Sequence, residues 1–534
     1  MSPPLKKRHI DTYSDDSALP LPSPSASPIH NSKDDDTLLY SLLERSSKHT
    51  LSAIFAHIGS TLRKDLIYAF PREISNLILS FLDHKDLIQC LQVSQKWNMV
   101  INNIPELWKN LLLSENWIKE DEYNDELSYF QFIRPDLPVT IIPRLIYARR
   151  LIIHRRWMDK SFKPEVKLLT GDALNVITCI QLDKKRMAAG SNANHILVYE
   201  TDTGRLIQTL KGHTGGVWAM KFAGDILASG STDRTVRIWN LRTGKCTHIF
   251  HGHTSTVRCL EIIEPKQIST DDEGNPVMFP ESPLLITGSR DATLYVWKLP
   301  TLNDEQTQIY DYEPADNPFF VNILKGHSAS VRAVTGYSNI LISGSYDHTA
   351  RVWDLRTNEC KWVLSGHTDR IYSCVYDIKR NRCYTGSVDN TVRIWDLDTG
   401  ETISILEGHQ ILVGLITSSE NVLVSAAADS TVRVWDPDTG HAQHVFRGHS
   451  AAITCVANDD RKVISGSQGM LKLWDTKSGE LVRDLAHDVD GAVWQVAMDY
   501  KRCLAAVQRR DVTYLELTEF AWPGNDPAEW LYKE

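Results

Sequence analysis

One spacing, repeated along the second half of this 534-residue chain, constrains its fold more than any other feature: a Gly-His pair, then an Asp, then a Trp six residues beyond the Asp. The Asp and Trp partners are Asp233 and Trp239, Asp291 and Trp297, Asp347 and Trp353, Asp389 and Trp395, Asp429 and Trp435. The Gly-His pairs begin at 212, 252, 326, 366, 408 and 448, so every interval but one is close to forty residues, and the exception, 252 to 326, holds extra loop. A unit of that length cannot bury its own apolar face. It must stack on copies of itself.

Period and signature together resemble the blades of WD-repeat propellers, each a four-stranded antiparallel sheet. The resemblance implies a hydrogen-bonded chain running from His to Ser to Asp to Trp, and a buried Asp requires partners of that kind. These His and Asp residues therefore read as structural and not as metal ligands or catalytic acids. Residues 171–210 form a degraded copy, with Ala193 where the Asp should stand and Tyr199 in place of the Trp. Strand-like segments without the signature follow the last full copy. Counting both atypical ends predicts an eight-bladed all-β propeller over 166–520, with seven blades as the other count. The copy at Gly448 is one residue short and has no Asp before Trp474, so its turn must differ.

Net charge of −9 gives no reason to expect general nucleic-acid binding. The nine Cys show no CxxC spacing and mostly sit in apolar strand runs, which predicts reduced core thiols in an intracellular protein. No signal-peptide core and no apolar run of 18 residues is found, so the expectation is a soluble nuclear or cytoplasmic chain with no cofactor and no metal.

Ahead of the propeller the composition changes three times. Residues 1–37, rich in Ser, Pro and Asp, read as a disordered tail. Lys6-Lys7-Arg8 is open to reading as an import signal or as an ordinary basic triplet. Residues 38–66 carry the helical stripe Leu51, Ile54, Phe55, Ile58 and Leu62, which needs a partner surface in the next domain or in a second copy. Residues 67–117 hold three short helices with more large apolar residues than such a unit hides. This stretch resembles an F-box through Phe70-Pro71, Leu82-Asp83, Asp86-Leu87, Val93 to Trp97 and Leu107-Trp108. Asp86 reads as the N-cap of the second helix. The family implies docking on the Skp adaptor of a cullin-RING (SCF) ubiquitin ligase, with Pro71, Ile74, Leu77, Phe81 and Leu82 as contact candidates. Residues 118–165 read as a helical stalk whose Arg144, Arg149, Arg150, Arg155 and Arg156 pair with acidic neighbours, and 521–534 as a C-terminal tail.

Because the copies superpose, one position in the repeat becomes one ring in space. Five residues after the His the ring reads Trp218, Arg258, Arg332, Tyr372, Gly414, Thr454; just before the Asp it reads Thr232, Arg290, Tyr346, Val388, Ala428; just after, Arg234, Ala292, His348, Asn390, Ser430. Arginine and aromatic residues concentrate on the copies opening at 212, 252, 326 and 366. Two long insertions, 264–283 and 299–320, fall on the opposite face by strand alternation. Guanidinium groups facing one opening repel unless an anion joins them, and their forks match phosphate oxygens. The pattern predicts a phosphopeptide site. Nucleic acid would need charge spread along a groove.

Through GHTGGVW, GSTDRT, GHTSTVRC and GSRDATL the chain resembles the cell-division-control branch of F-box/WD-repeat receptors, over roughly residues 38–517. That likeness implies phosphothreonine-binding roles for Arg258, Arg290 and Arg332, supporting roles for Arg234, Ser255, Thr256, Tyr346 and Tyr372, and an apolar wall at Trp218. It also implies a homodimer through the segment before the F-box. Gln495 and Gln508-Arg509-Arg510 depart from the pattern. The function expected is a non-catalytic substrate receptor reading phosphothreonine-proline degrons. Alternatives are a receptor of another branch with a different degron, or a WD-repeat scaffold outside ubiquitin transfer.

Overall fold

A computed structural model describes residues 47–50, 52, 67, 70–174, 176–270, 274–306, 308–486, 489–510 and 512–521. The expected tail 1–37, most of the helical segment 38–66, and all of 521–534 but Ala521 lie outside them. The chain divides into two compact units, Met1–Ile101 and Asn102–Glu534, each taken by itself.

In the first unit, helices α1 (Arg72–Ser80) and α2 (His84–Val93) are followed by α3 (Gln95–Asn102) at the division. Asp83, not Asp86, caps α2: its carboxylate accepts the Asp86 N–H at 2.8 Å, and Asp86 adds its charge in the first turn, where the helix dipole favours it. Ser94 accepts the Trp97 N–H at 3.2 Å in the same manner. Leu79, Leu87 and Leu91 supply the buried face.

The second unit opens with α4 (Pro105–Ser114), whose proline occupies a position where no N–H is needed. Helices α5 (Glu120–Ile133) and α6 (Ile142–Met158) follow. Trp108 of α4 packs on Tyr147 of α6, ring centroids 5.6 Å apart. The arginines of α6 are not mainly paired with acids. Arg150 meets Glu126 at 2.6 Å, but Arg149 lies over Phe130 at 5.5 Å and Arg156 over Phe162 at 4.9 Å. Burial of so basic a helix is offset through ring faces and carbonyls as much as through carboxylates. At its end Trp157 stacks on Phe520 with centroids 3.6 Å apart and donates to the Tyr500 carbonyl at 2.9 Å.

Eight sheets make the propeller, at 177–211, 217–250, 257–324, 331–364, 371–406, 413–446, 455–484 and 493–519, here blades 1 to 8. Each runs in sequence order from first to fourth strand. Blade 8 borrows its fourth strand, Glu165–Leu174, from the start of the unit, antiparallel to Val512–Glu519. Pairing the first strand with the last closes the ring. Apolar clusters sit between blades: Val257, Leu285 and Trp297 of blade 3, for instance, pack on Ala228, Ile238 and Phe250 of blade 2. The same sharing joins blade 8 to blade 1, through Leu515 and Leu517 against Ile177 and Leu197.

The buried polar chain runs Asp to His to Ser or Thr to Trp, so histidine and not serine is the link to aspartate. In blade 2 the His213 ring meets Asp233 at 2.8 Å through Nδ1 and Ser229 Oγ at 2.8 Å through Nε2, and Trp239 donates to the same hydroxyl at 2.8 Å. Blades 3 to 6 repeat it with His253, His327, His367 and His409. Burial pushes these aspartates up, but hydrogen bonds from the His and Thr outweigh it and hold Asp233, Asp291, Asp347 and Asp389 below the usual carboxylate range. In blade 7, which lacks the Asp, Ser467 Oγ takes its place 2.6 Å from His449 Nδ1.

Both insertions lie, as alternation requires, on the face opposite the Asp turns. The first forms a hairpin of Lys266–Thr270 with Pro276–Phe279. The second supplies Tyr310–Tyr312, a fifth strand parallel to Lys245–Phe250 of blade 2, which the sequence pattern did not reveal.

Candidate functional site

Two loops per blade build the face on which the Asp turns lie, and the Asp itself ties them together. Its second carboxylate oxygen accepts the N–H of the residue after the His (Thr254 to Asp291, 2.9 Å), while its first accepts the Thr two residues on (Thr293 N–H, 3.0 Å). The residue before the Asp then donates its N–H to the carbonyl three residues after the His. Thr232 bonds to Gly216, Arg290 to Thr256, Tyr346 to Ser330 and Val388 to Arg370, all between 2.9 and 3.0 Å. Side chains from the two loops are thereby fixed beside one another. The residue after the Asp has positive φ throughout: Arg234 72°, Ala292 70°, His348 70°, Asn390 69° and Ser430 61°. A non-glycine residue in that region costs about 1 kcal/mol or more, and the Asp bonds on both sides hold it there.

On this frame the candidates fall into two linked groups. Arg258 sits with its Cζ 5.2 Å from the Trp218 ring, and its buried Nε has no hydrogen-bond partner among the described residues. Arg332 sits 5.8 Å from the Tyr372 ring, which stacks on Tyr346 with centroids 5.2 Å apart. The hydrogen bond with Tyr346, and then burial, raise the Tyr372 phenol above its ordinary value. Between them lies Cys259: burial pushes its thiol up to about 12, and the positive charges of Arg332 and Arg258 oppose that shift. Arg234 and Arg290 stand exposed on the turns, and Trp218 is exposed to 38%. Ser255 and Thr256, half-buried, contribute backbone, their carbonyls accepting from Ser289 Oγ at 3.1 Å and from the Arg290 N–H at 2.9 Å.

One residue escaped the column reading. Arg370 lies three, not five, residues after its His, and its Cζ is 5.5 Å from the ring of Tyr346, which stacks on the Tyr372 that neighbours Arg332. Reading every column of the His loop, and not only the fifth, would have found it. Gln495 of blade 8 turns away from this pattern and donates to the Thr178 carbonyl at 3.1 Å.

Among the described residues, no carboxylate lies within ion-pair distance of Arg234, Arg258, Arg290 or Arg332. A set of forked donors without acceptors, flanked by aromatic walls, is complementary to an oxyanion carried on a chain with some apolar surface.

A second surface lies on α1. Ile74, Leu77 and Phe81, with Ile78, form one stripe exposed by 44%, 56%, 82% and 40%, while Leu79 on the other side is fully buried. Pro71 is exposed and Leu82 half-buried. Val93 and Met99, 61% and 65% exposed, extend the apolar surface beyond the residues the sequence singled out. An apolar stripe facing outward marks an interaction surface.

Comparison with known proteins matches both regions of the chain. The profile described as F-box-like matches residues 67–114, and the one described as WD domain, G-beta repeat, matches 204–240, 244–298, 319–354, 358–396, 400–436 and 440–475. Cell division control protein 4 of Candida albicans is 46% identical over 91% of this chain and 72% of its own length. The protein of that name from Saccharomyces cerevisiae is 39% identical over 91% of this chain, which spans 64% of it, under two thirds. The WD repeat-containing protein pop2 of Schizosaccharomyces pombe is 42% identical over 90% of this chain and 69% of its own. Among solved structures, the computationally designed Ika8 protein aligns over 66% of this chain and all of its own, with TM-score 0.53 and 26% identity. The chain belongs to the F-box/WD-repeat family of cell division control protein 4.

Proposed function

We propose that this protein is the substrate-recognition subunit of an SCF ubiquitin ligase and that the arginine-lined face of its propeller captures phosphothreonine-proline degrons. The observation that carries the reading is the set Arg234, Arg258, Arg290 and Arg332, held on one face by the Asp turns without carboxylate partners among the described residues, in a chain of net charge −9. A phosphate brings close to two negative charges and three acceptor oxygens, and an unphosphorylated threonine leaves the cluster uncompensated. Arg258, Arg290 and Arg332 hold the phosphate, Trp218 forms an apolar wall beside it, and the stacked Tyr372 and Tyr346 support Arg332 and Arg370. The outward stripe of α1, with Pro71 and Leu82, docks the Skp adaptor, and ubiquitin transfer belongs to the cullin-bound partners. Homodimerisation through 38–66 belongs to the same proposal.

The test is calorimetric titration with a Thr-Pro peptide in phosphorylated and unphosphorylated form, alongside capture of the adaptor by wild type and by Phe81→Glu. The reading requires binding only of the phosphorylated peptide and loss of the adaptor in the variant. Equal affinity for both peptides overturns the degron assignment.

A further inference from the structure

The passage from blade 7 to blade 8 differs from the passages between blades 2 and 7. No Gly-His follows Asp484, and the fourth strand of blade 7, Leu481–Asp484, ends after four residues, whereas the strand closing blade 8, Glu165–Leu174, runs for ten. An open groove of about 970 Å³ lies beside the outer strands of blade 8. Val166, Leu168 and Tyr514 line it, exposed by 49%, 56% and 38%, with Leu485 and Val489 also in its wall.

Three observations indicate what covers it. Ala521, where the described chain ends, packs on the apolar cluster that contains Leu485 and touches Val489, so residues 522–534 leave the fold beside the groove. Those residues carry Trp522, Trp530, Leu531 and Tyr532 together with Asp526, Glu529 and Glu534. Finally, Arg483, whose Cζ lies 5.8 Å from the Phe520 ring, keeps Nε and Nη2 buried without a hydrogen-bond partner among the described residues. A buried guanidinium so placed requires an acceptor. Reach is sufficient: from Ala521 to Trp530 an extended chain spans up to about 30 Å, and the strand from Val166 onward is about 26 Å long. Pro523-Gly524 and Asp526-Pro527 supply turns with which the chain can reverse.

We propose that segment 522–534 folds back along this groove, seating Trp530 and Leu531 over Val166, Leu168 and Tyr514 and bringing a carboxylate to Arg483. The segment then acts as a strap across the seam of the ring, where strands from its two ends pair. A photoreactive benzoylphenylalanine placed at Leu168 in the full chain should crosslink within one molecule to 522–534, and Trp530→Ala should reduce that yield several-fold. Crosslinks to a second copy, to a co-purified protein, or none into this segment overturn the proposal. Hydrogen exchange gives an independent reading: ending the chain after Ala521 should speed exchange of the amides around Val166–Leu168 and Tyr514 several-fold, and a synthetic 522–534 peptide should reverse it. Unchanged exchange in a folded truncated chain also overturns it.

Discussion

The two faces of the propeller use the same side chain to opposite ends. On the face of the first-to-second and third-to-fourth connections, arginines are matched to acids. Arg242 meets Asp225 at 2.6 Å and Asp304 at 2.9 Å, Arg356 meets Asp354 at 3.0 Å, and Arg380 meets Asp377 at 3.1 Å and Asp438 at 2.6 Å. On the face of the Asp turns, Arg234, Arg258, Arg290 and Arg332 have no such partner among the described residues, although the sequence holds 67 acidic residues against 58 basic ones. Where charge is matched, it fixes loops. Where it is left unmatched, on a backbone already fixed by buried Asp–His bonds, it is available to an incoming anion, with little ordering left to do.

The sharpest way to break this comparison is to remove one arginine from each face. Arg332→Ala should cost about 2–5 kcal/mol of phosphopeptide affinity while leaving the unfolding midpoint nearly unchanged. Arg380→Ala should do the reverse. Its side chain is 10% exposed and that of Asp377 only 7%, so its loss leaves the buried Asp377 charge with only the Tyr384 hydroxyl and a backbone N–H as partners, at a cost of about 3 kcal/mol in stability, and peptide affinity should hold. Calorimetry and denaturant melts on both variants decide it. Parallel losses in both assays would show that the faces are not functionally distinct.

Acid should separate the stability of the fold from peptide binding next. Burial lowers His248 and His449 to about 4, so each binds a proton in the unfolded chain near pH 6.5 that it refuses when folded. Their contribution is complete above pH 6.5 and is lost as pH falls from there toward 4, about 1–2 kcal/mol each by pH 5. The matched acids persist longer. Hydrogen bonds from Arg186 and Arg242 hold Asp225 at about 2. On the other face the phosphate of a bound peptide loses a charge below pH ~6. Phosphopeptide affinity should therefore weaken between pH 7 and 5. Replacing the phosphate with a sulfate ester, which keeps its charge, should flatten that dependence.

Much of this was legible in the sequence because repetition converts spacing into geometry. The blade count, the side of the insertions and the grouping of Arg258, Arg332, Tyr346 and Tyr372 all follow from superposing copies. What stayed hidden depends on directions and long-range choices. Spacing brings His213, Ser229, Asp233 and Trp239 together but does not say which hydroxyl faces which ring, and the order implied by the WD-repeat resemblance was wrong. Ser467 standing in for an absent Asp follows from its hydroxyl reaching one ring nitrogen, and Tyr310–Tyr312 joining blade 2 follows from pairing across sixty residues of sequence separation. On α1 the apolar stripe was visible, but not that Ile74, Leu77 and Phe81 point outward while Leu79 points in. Helical period fixes which residues share a face and is silent on what that face meets.

The smallest effect expected is at Trp218, and it tests whether an unmatched arginine still needs support. Among the described residues, Arg258 has one aromatic neighbour, at 5.2 Å, and a buried Nε with nothing to donate to. The ring's negative face holds the guanidinium in place when no anion is bound, a contribution of about 0.5–2 kcal/mol. Trp218→Ala should lower phosphopeptide affinity by about that amount, and Trp218→Phe by less, since a smaller ring keeps part of the attraction. Arg258→Ala in the Trp218→Ala background should then cost less than Arg258→Ala alone, because the two share one interaction. A double-mutant cycle read by calorimetry measures the difference. Full additivity would mean that the ring contacts only the peptide, and that Arg258 is positioned by its backbone alone.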